Sequence, residues 1–158
     1  MLILKNSLIL LFLGISAFGN PCSNSAPGHY HPNGGGFVME SAHVDTTAYV
    51  APKAVVCDKA IVLDQVVIKH AAIITGNAII RDQAVISENA IITGNGLVMD
   101  RAVVSGDAVV TAEAQVAEDA LVDGNSLITG DAIIRGTAHI CGEAMVYQRV
   151  IDHGKKCY

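Results

Sequence analysis

Tryptophan is absent from the 158 residues and phenylalanine occurs only three times, which argues against a core organised on aromatic anchors. Charge is sparse: 16% of residues are Asp, Glu, Lys or Arg, the formal net charge is −5, and no Lys/Arg cluster occurs. That combination excludes nucleic acid as the expected partner. No Asn-x-Ser/Thr acceptor occurs, so N-glycosylation gives no clue to the source. Apolar residues nonetheless make up 51% of the chain, nearly all of them Ala, Val, Ile and Leu, a composition incompatible with intrinsic disorder.

The first 19 residues are of a different kind. Lys5 is followed by the apolar run Leu8 to Leu13 and then by Ala17-Phe18-Gly19, which reads as a secretory signal peptide cut before Asn20. The run is short for a membrane span, so no transmembrane segment is expected after its removal. Cys22 follows Gly19-Asn20-Pro21, a poor match to a lipoprotein box. Residues 20–41 form a Pro, Ser, His and Gly-rich lead-in and N-terminal cap that contains Gly34-Gly35-Gly36, a composition with little to bury. The expected location is secreted, either extracellular or periplasmic.

From Ala42 a period of six takes over. Every sixth residue from Val44 to Val146 is Val or Ile, and two residues before each lies a column of Ala, broken only by Val66, Gly96 and Ser126. Two columns spaced by two mark one face of a short strand. Two residues after the aliphatic comes the bend, with Gly at 76, 94, 106, 124, 130, 136 and 142, a residue that supplies the positive φ of a turn. A strand this short buries its face only by winding into coils that stack on one another. Three hexads make one triangular coil of 18 residues, so 42–149 should hold about six coils, followed by a C-terminal tail over 150–158.

The pattern Ala-x-Val/Ile-x-Gly-Asn/Asp resembles the hexapeptide repeat of the left-handed parallel β-helix, the all-β fold of the hexapeptide acyltransferase superfamily. The resemblance implies a single-stranded β-helix of about six coils with both repeat columns pointing into the prism. At about 4.8 Å per layer the stack would be roughly 29 Å long. Packing of superfamily members through prism faces implies a homo-oligomer, with a trimer expected. The segment His31 to Phe37 resembles a lead-in found before such repeats and reads as a cover for the first coil, whose open edge would otherwise recruit other chains.

Outward positions divide into three faces. One carries Ile73, Thr75, Ile91, Thr93, Val109, Thr111, Leu127 and Thr129, without charge, flanked by Val55 and Cys57 before and Met145 and Tyr147 after. A flat apolar stripe of this extent points to contact, and these eight residues are the candidate binding face of a secreted, non-enzymatic scaffold or surface-binding protein. What it meets, a second copy, another protein or a surface, is not encoded. The regular Thr column also permits binding to ice, as some secreted β-helices of this kind do.

Acyl transfer is the alternative that the resemblance raises. It requires a histidine acting as general base and a groove for the pantetheine arm of acyl-CoA. His70, which replaces Gly at a corner, is the candidate catalytic residue of that reading, with His43 and His139 on faces. The hexads run without an inserted loop to build an acceptor pocket, and acyl-CoA is a cytoplasmic donor. No cofactor is expected in the scaffold reading.

His29 with His31, and His139-x-Cys141 with Asp123 one coil beneath, are fragments of metal-ligand patterns. With four cysteines in a secreted chain, disulfides are the better assignment, and no metal site is expected. In the implied fold, Cys57 and Cys141 lie 84 residues apart, roughly 22 Å along the axis, beyond disulfide reach. Pairing of Cys22 with Cys57 and of Cys141 with Cys157 then pins each terminal segment over one end. The other arrangement, Cys22 with Cys141 and Cys57 with Cys157, requires both tails to run the length of the prism.

Overall fold

The computed structural model describes Cys22 and residues 26–158, so the signal peptide assigned to residues 1–19 lies outside the described residues. Strands of two or three residues recur every six positions and fall into three sheets of seven parallel strands, the first of which carries one additional antiparallel strand. Each parallel strand pairs with the one 18 residues later in the repeat, as Ile73 with Ile91 and Ile91 with Val109. The molecule is a three-sided parallel β-solenoid, and among the described residues no helix is long and apolar enough to cross a membrane.

The core is the pair of columns read from the sequence. Val50, Val56, Val62, Ile68 and their successors to Ile140 are wholly buried, as are the alanines between them. Alanine recurs because the corner of a triangular coil leaves little volume for a side chain. The oversized Val66 is accommodated with no exposure, lying in register between the small Ala48 and Ala84. Ser126, the polar member of the column, donates its hydroxyl to the Asp123 carbonyl at 2.8 Å. No described buried side-chain polar atom lacks a partner.

The solenoid has seven coils, not six. The additional strands come from both ends of the repeat. Phe37–Met39 pairs in parallel with Val55–Val56, placing Val38 in the inward column one hexad before Val44. After Met145–Tyr147 the chain adds Val150–Ile151 and Lys155–Cys157, which pair with Ile133–Ile134 and His139–Cys141. These last two strands arrive one and two residues early relative to the 18-residue repeat, because the final corners are shorter. That slip hides them from a count of sixth residues.

The corners need positive φ, and glycine supplies only part of it. Gly106 has φ of 70°, and a Cβ there would lie 2.5 Å from the Gly124 carbonyl oxygen of the next coil, so that corner is closed to side chains. At the corner following strands Ile61–Val62, Ile79–Ile80, Leu97–Val98 and Gln115–Val116 the same conformation is taken by Asp64, Asp82, Asp100 and Glu118. Here each carboxylate accepts the backbone N–H of the corresponding residue one coil on: Asp82 at 3.2 Å from Asp64, Asp100 at 3.2 Å from Asp82, Glu118 at 3.0 Å from Asp100, Gly136 at 3.0 Å from Glu118. The left-handed conformation costs a non-glycine residue about 1–2 kcal/mol, and a charge-assisted bond to the next coil offsets it.

Candidate functional site

The eight residues of the candidate face share one sheet. Ile73, Ile91, Val109 and Leu127 form one unbroken register column, with Thr75, Thr93, Thr111 and Thr129 two residues further along each coil. None is freely exposed; Val109 and Thr93 are buried by their neighbours in the ladder, and the other six are half-buried. In-register stacking of like side chains does this, since each residue covers the flank of the one above. The outcome is a flat surface with little side-chain freedom to lose on contact. The Thr75 hydroxyl donates to the Asp58 carboxylate at the corner, which anchors one edge of the face.

The N-terminal part of this sheet is already occupied. Cys57 projects outward from the same columns and is bonded to Cys22. Cys22, Cys57 and Met39 form a buried cluster against which Ala26, Phe37, Ala42 and Val55 pack. The lead-in therefore docks on the first coils of the face, and the surface open to solvent begins near Ile73. At the far end of the same sheet, Met145 and Tyr147 are 69% and 55% exposed.

The other two faces are less uniform. Arg81 and Arg135 interrupt one, and Arg81 lies 3.3 Å from the Asp82 carboxylate. On the remaining face, Lys69 and Asp123 interrupt a column otherwise continued by Ser87 and Ser105.

The histidines have structural partners. The exposed His70 sits at a corner with φ of 55°, and its Nδ1 accepts the Glu88 backbone N–H at 3.2 Å. It thus takes the place that the aspartates take at the neighbouring corner. With Nδ1 accepting, a neutral ring carries its proton on Nε2. His43 lies 3.3 Å from Asp45 at the surface, and His139 Nε2 lies 3.0 Å from Asp123. His31, 3% exposed, binds inside the lead-in: Nδ1 accepts from the Asn33 N–H at 3.3 Å and Nε2 meets the Asp45 carbonyl at 3.2 Å. His29 lies on the exposed strand Gly28–Tyr30, away from any described ligand cluster.

The cysteines pair as Cys22 with Cys57 and Cys141 with Cys157. Both pairs tie a terminal segment to the solenoid, an arrangement that fits an oxidising, extracytoplasmic setting.

One surface feature was not anticipated. The acidic corner borders an open groove of about 770 Å³ lined by Asp64, Asp82, Asp100, Glu118 and, beside them, Gln65, Gln83, Arg101 and Asp119. Arg101 bridges to Asp119 at 2.8 Å. The signal in the sequence was an Asp/Glu column with a spacing of 18, visible only once the coil length is known. Reading the bends through glycine alone passes over it.

No protein-family model, curated protein or solved structure matches this chain. The functional reading therefore stands on the fold, the disulfides and the faces.

Proposed function

We propose that this chain is an exported, non-enzymatic β-solenoid scaffold that makes contact through the face built by Ile73, Thr75, Ile91, Thr93, Val109, Thr111, Leu127 and Thr129, first of all with further copies of itself. The observation that carries this reading is the docking of the lead-in. The chain already uses the first coils of that face to bury an apolar cluster around Cys22, Met39 and Cys57, and the same uncharged columns continue beyond it. The face is also pre-ordered, so little conformational entropy opposes association. The resemblance of the repeat to that of the left-handed β-helix superfamily, whose members pack as trimers through prism faces, supports this reading. Export to the periplasm or the cell exterior agrees with the two disulfides.

The test is the solution mass of residues 20–158 by light scattering, with Ile91→Lys beside it. Ile91 is outward and half-buried, so lysine keeps its stem on the ladder and lifts its charge into solvent, leaving the fold intact by circular dichroism. The expected result is a discrete oligomer that the substitution converts to folded monomer. A wild-type monomer would remove self-association and direct the face to an external partner, for which ice-recrystallisation and polymer-binding assays are the next measurements. His70→Ala should leave association unchanged. Turnover of acyl-CoA by the wild type, lost in that variant, would overturn the non-enzymatic reading.

A further inference from the structure

At the C-terminal end of the third sheet, four metal-ligating side chains converge. His139 and Cys141 lie on one strand, Cys157 is the direct register partner of Cys141 on the last strand, and Asp123 follows the strand on the other side. His139 Nε2 is 3.0 Å from the Asp123 carboxylate. Ligand atoms of Asp123, His139 and Cys141 all lie within 4.8 Å of one another, and the fourth, the Cys157 sulfur, is bonded to that of Cys141. Donors around a tetrahedral zinc sit about 3.3–3.8 Å apart, given bonds of about 2.0–2.3 Å. Asp123, His139 and Cys141 thus need only small shifts to enclose a cation, Cys157 joins them from the adjoining strand, and the set is of the Cys/His/carboxylate type that zinc takes.

The sulfurs are committed to each other while oxidised, but the two disulfides differ in access. Cys22 and Cys57 are each 1% exposed, within the apolar cluster beneath the lead-in. Cys157 lies on a strand exposed at all three positions. That strand contributes nothing to the core: its central residue, Lys156, stands in register with the inward Ile140. A reductant therefore reaches the C-terminal bond first, and the strand, held only by backbone pairing, can move to aim Cys157 at a cation.

We propose that Asp123, His139, Cys141 and Cys157 form a redox-gated site for a divalent cation of the zinc type. A dithiol reductant gives up two electrons and two protons, closing its own disulfide and leaving Cys141 and Cys157 as thiols. The cation then takes both as thiolates, with two protons released to solvent, and is completed by a neutral ring nitrogen of His139 and a carboxylate oxygen of Asp123. Lys155, register partner of His139, stands beside the surplus negative charge of that ligand set. Exchange with an oxidised disulfide, which takes up the two electrons and two protons and opens to two thiols, expels the cation and restores the Cys141–Cys157 bond. This site is on a different face from the proposed contact surface and does not depend on it.

Cobalt(II) is the probe, because tetrahedral thiolate coordination produces a sulfur-to-cobalt absorption band and intense visible bands. In a Cys22→Ser/Cys57→Ser variant of residues 20–158, dithiothreitol reduction and desalting should yield one cobalt per chain with both bands, displaced by zinc; the oxidised protein should give neither. His139→Ala and Asp123→Ala should each weaken cobalt binding by at least about tenfold, with circular dichroism unchanged. Absence of the sulfur-to-cobalt band after reduction, or an affinity unmoved by both substitutions, overturns the site. Should the serine variant fail to fold, limited reduction of the wild type followed by alkylation mapping decides the gate. Labelling of Cys141 and Cys157 ahead of Cys22 and Cys57 supports it, and equal or reversed labelling overturns it.

Discussion

The two ends of the solenoid are finished in opposite ways. At the N-terminal end the strand Gly28–Tyr30 turns back to pair with Phe37–Met39 in antiparallel fashion, and the turn between them covers the edge of the neighbouring sheet at Tyr49–Val50. Gly36 donates to the Val50 carbonyl at 2.9 Å, the Asn33 carbonyl accepts from the Val50 N–H at 3.0 Å, and the Asn33 side chain donates to the Ala48 carbonyl at 2.9 Å. A Gly-rich segment does this because the chain must lie flat on the strand edge: Gly34 has φ of 114°, and a Cβ there would sit 2.3 Å from the Val50 carbonyl oxygen. The C-terminal end has no such cover among the described residues. Its last coil is shortened, and Met145, Tyr147, Val150 and Tyr158 are exposed there. The end is instead defended by the exposed cations Arg149, Lys155 and Lys156, since charge on a strand edge discourages pairing with another chain. One end is closed by hydrogen bonds and burial, the other by electrostatic repulsion and a disulfide.

If the N-terminal closure is integral to the fold, its loss must be felt globally. Replacing Cys22 and Cys57 by serine removes a cross-link of sequence separation 35 and leaves hydroxyls in an apolar cluster. Urea denaturation should show a loss of about 3 kcal/mol. A loss below about 1 kcal/mol would mean that the lead-in is an appendage rather than part of the cooperative unit. His31→Ala is the next largest effect. It removes a buried ring that spans from the Asn33 N–H to the Asp45 carbonyl, and leaving such groups unpaired costs about 2 kcal/mol. His153→Ala, at the exposed C-terminal end, serves as the contrast and should change the urea midpoint little.

The same asymmetry separates what was legible in the sequence from what was not. The middle coils were transparent because one physical demand, an aliphatic and a small residue pointing inward, repeats without slippage from Val44 to Val146. The ends break that demand. Val38 continues the inward column, but Gly36 stands where alanine would be expected, and after Val146 the next inward residue is Ile151, not residue 152. A strict period of six therefore undercounts by one coil. The uncharged face could be read because outward columns follow once the inward ones are known. The tether of Cys22 to Cys57 could be read as well, but not that the lead-in lies along part of this face rather than only over the end of the prism, since the lead-in is outside the repeat. The histidines were the least legible. That the Glu88 N–H faces the His70 Nδ1 follows from the corner geometry, and residue type carries no such information.

The C-terminal end can also be converted toward the N-terminal solution. Lys156 stands in register with Ile140, at an inward position that Val or Ile fills in earlier coils. Lys156→Ile should extend the core by one residue and raise stability by about 1 kcal/mol, less than full burial of the side chain would contribute because nothing lies beyond it. The same change removes a defending charge, so light scattering should show more concentration-dependent association than in the wild type. An unchanged urea midpoint would mean that the strand's centre does not face the prism interior in solution.

The smallest global effect is expected from the C-terminal disulfide, and its smallness is informative. A cross-link of separation 16 would contribute about 3 kcal/mol if the segment it closes folded with the rest. The segment contains no fully buried side chain between Val146 and Cys157, so its release exposes little apolar surface. Cys141→Ser/Cys157→Ser should therefore lower global stability by about 0.5 kcal/mol or less, while limited trypsin digestion after Lys155 and Lys156 accelerates markedly. A global loss near 3 kcal/mol would make the last coil part of the cooperative core, and the contrast between the two ends would then be one of appearance rather than energy.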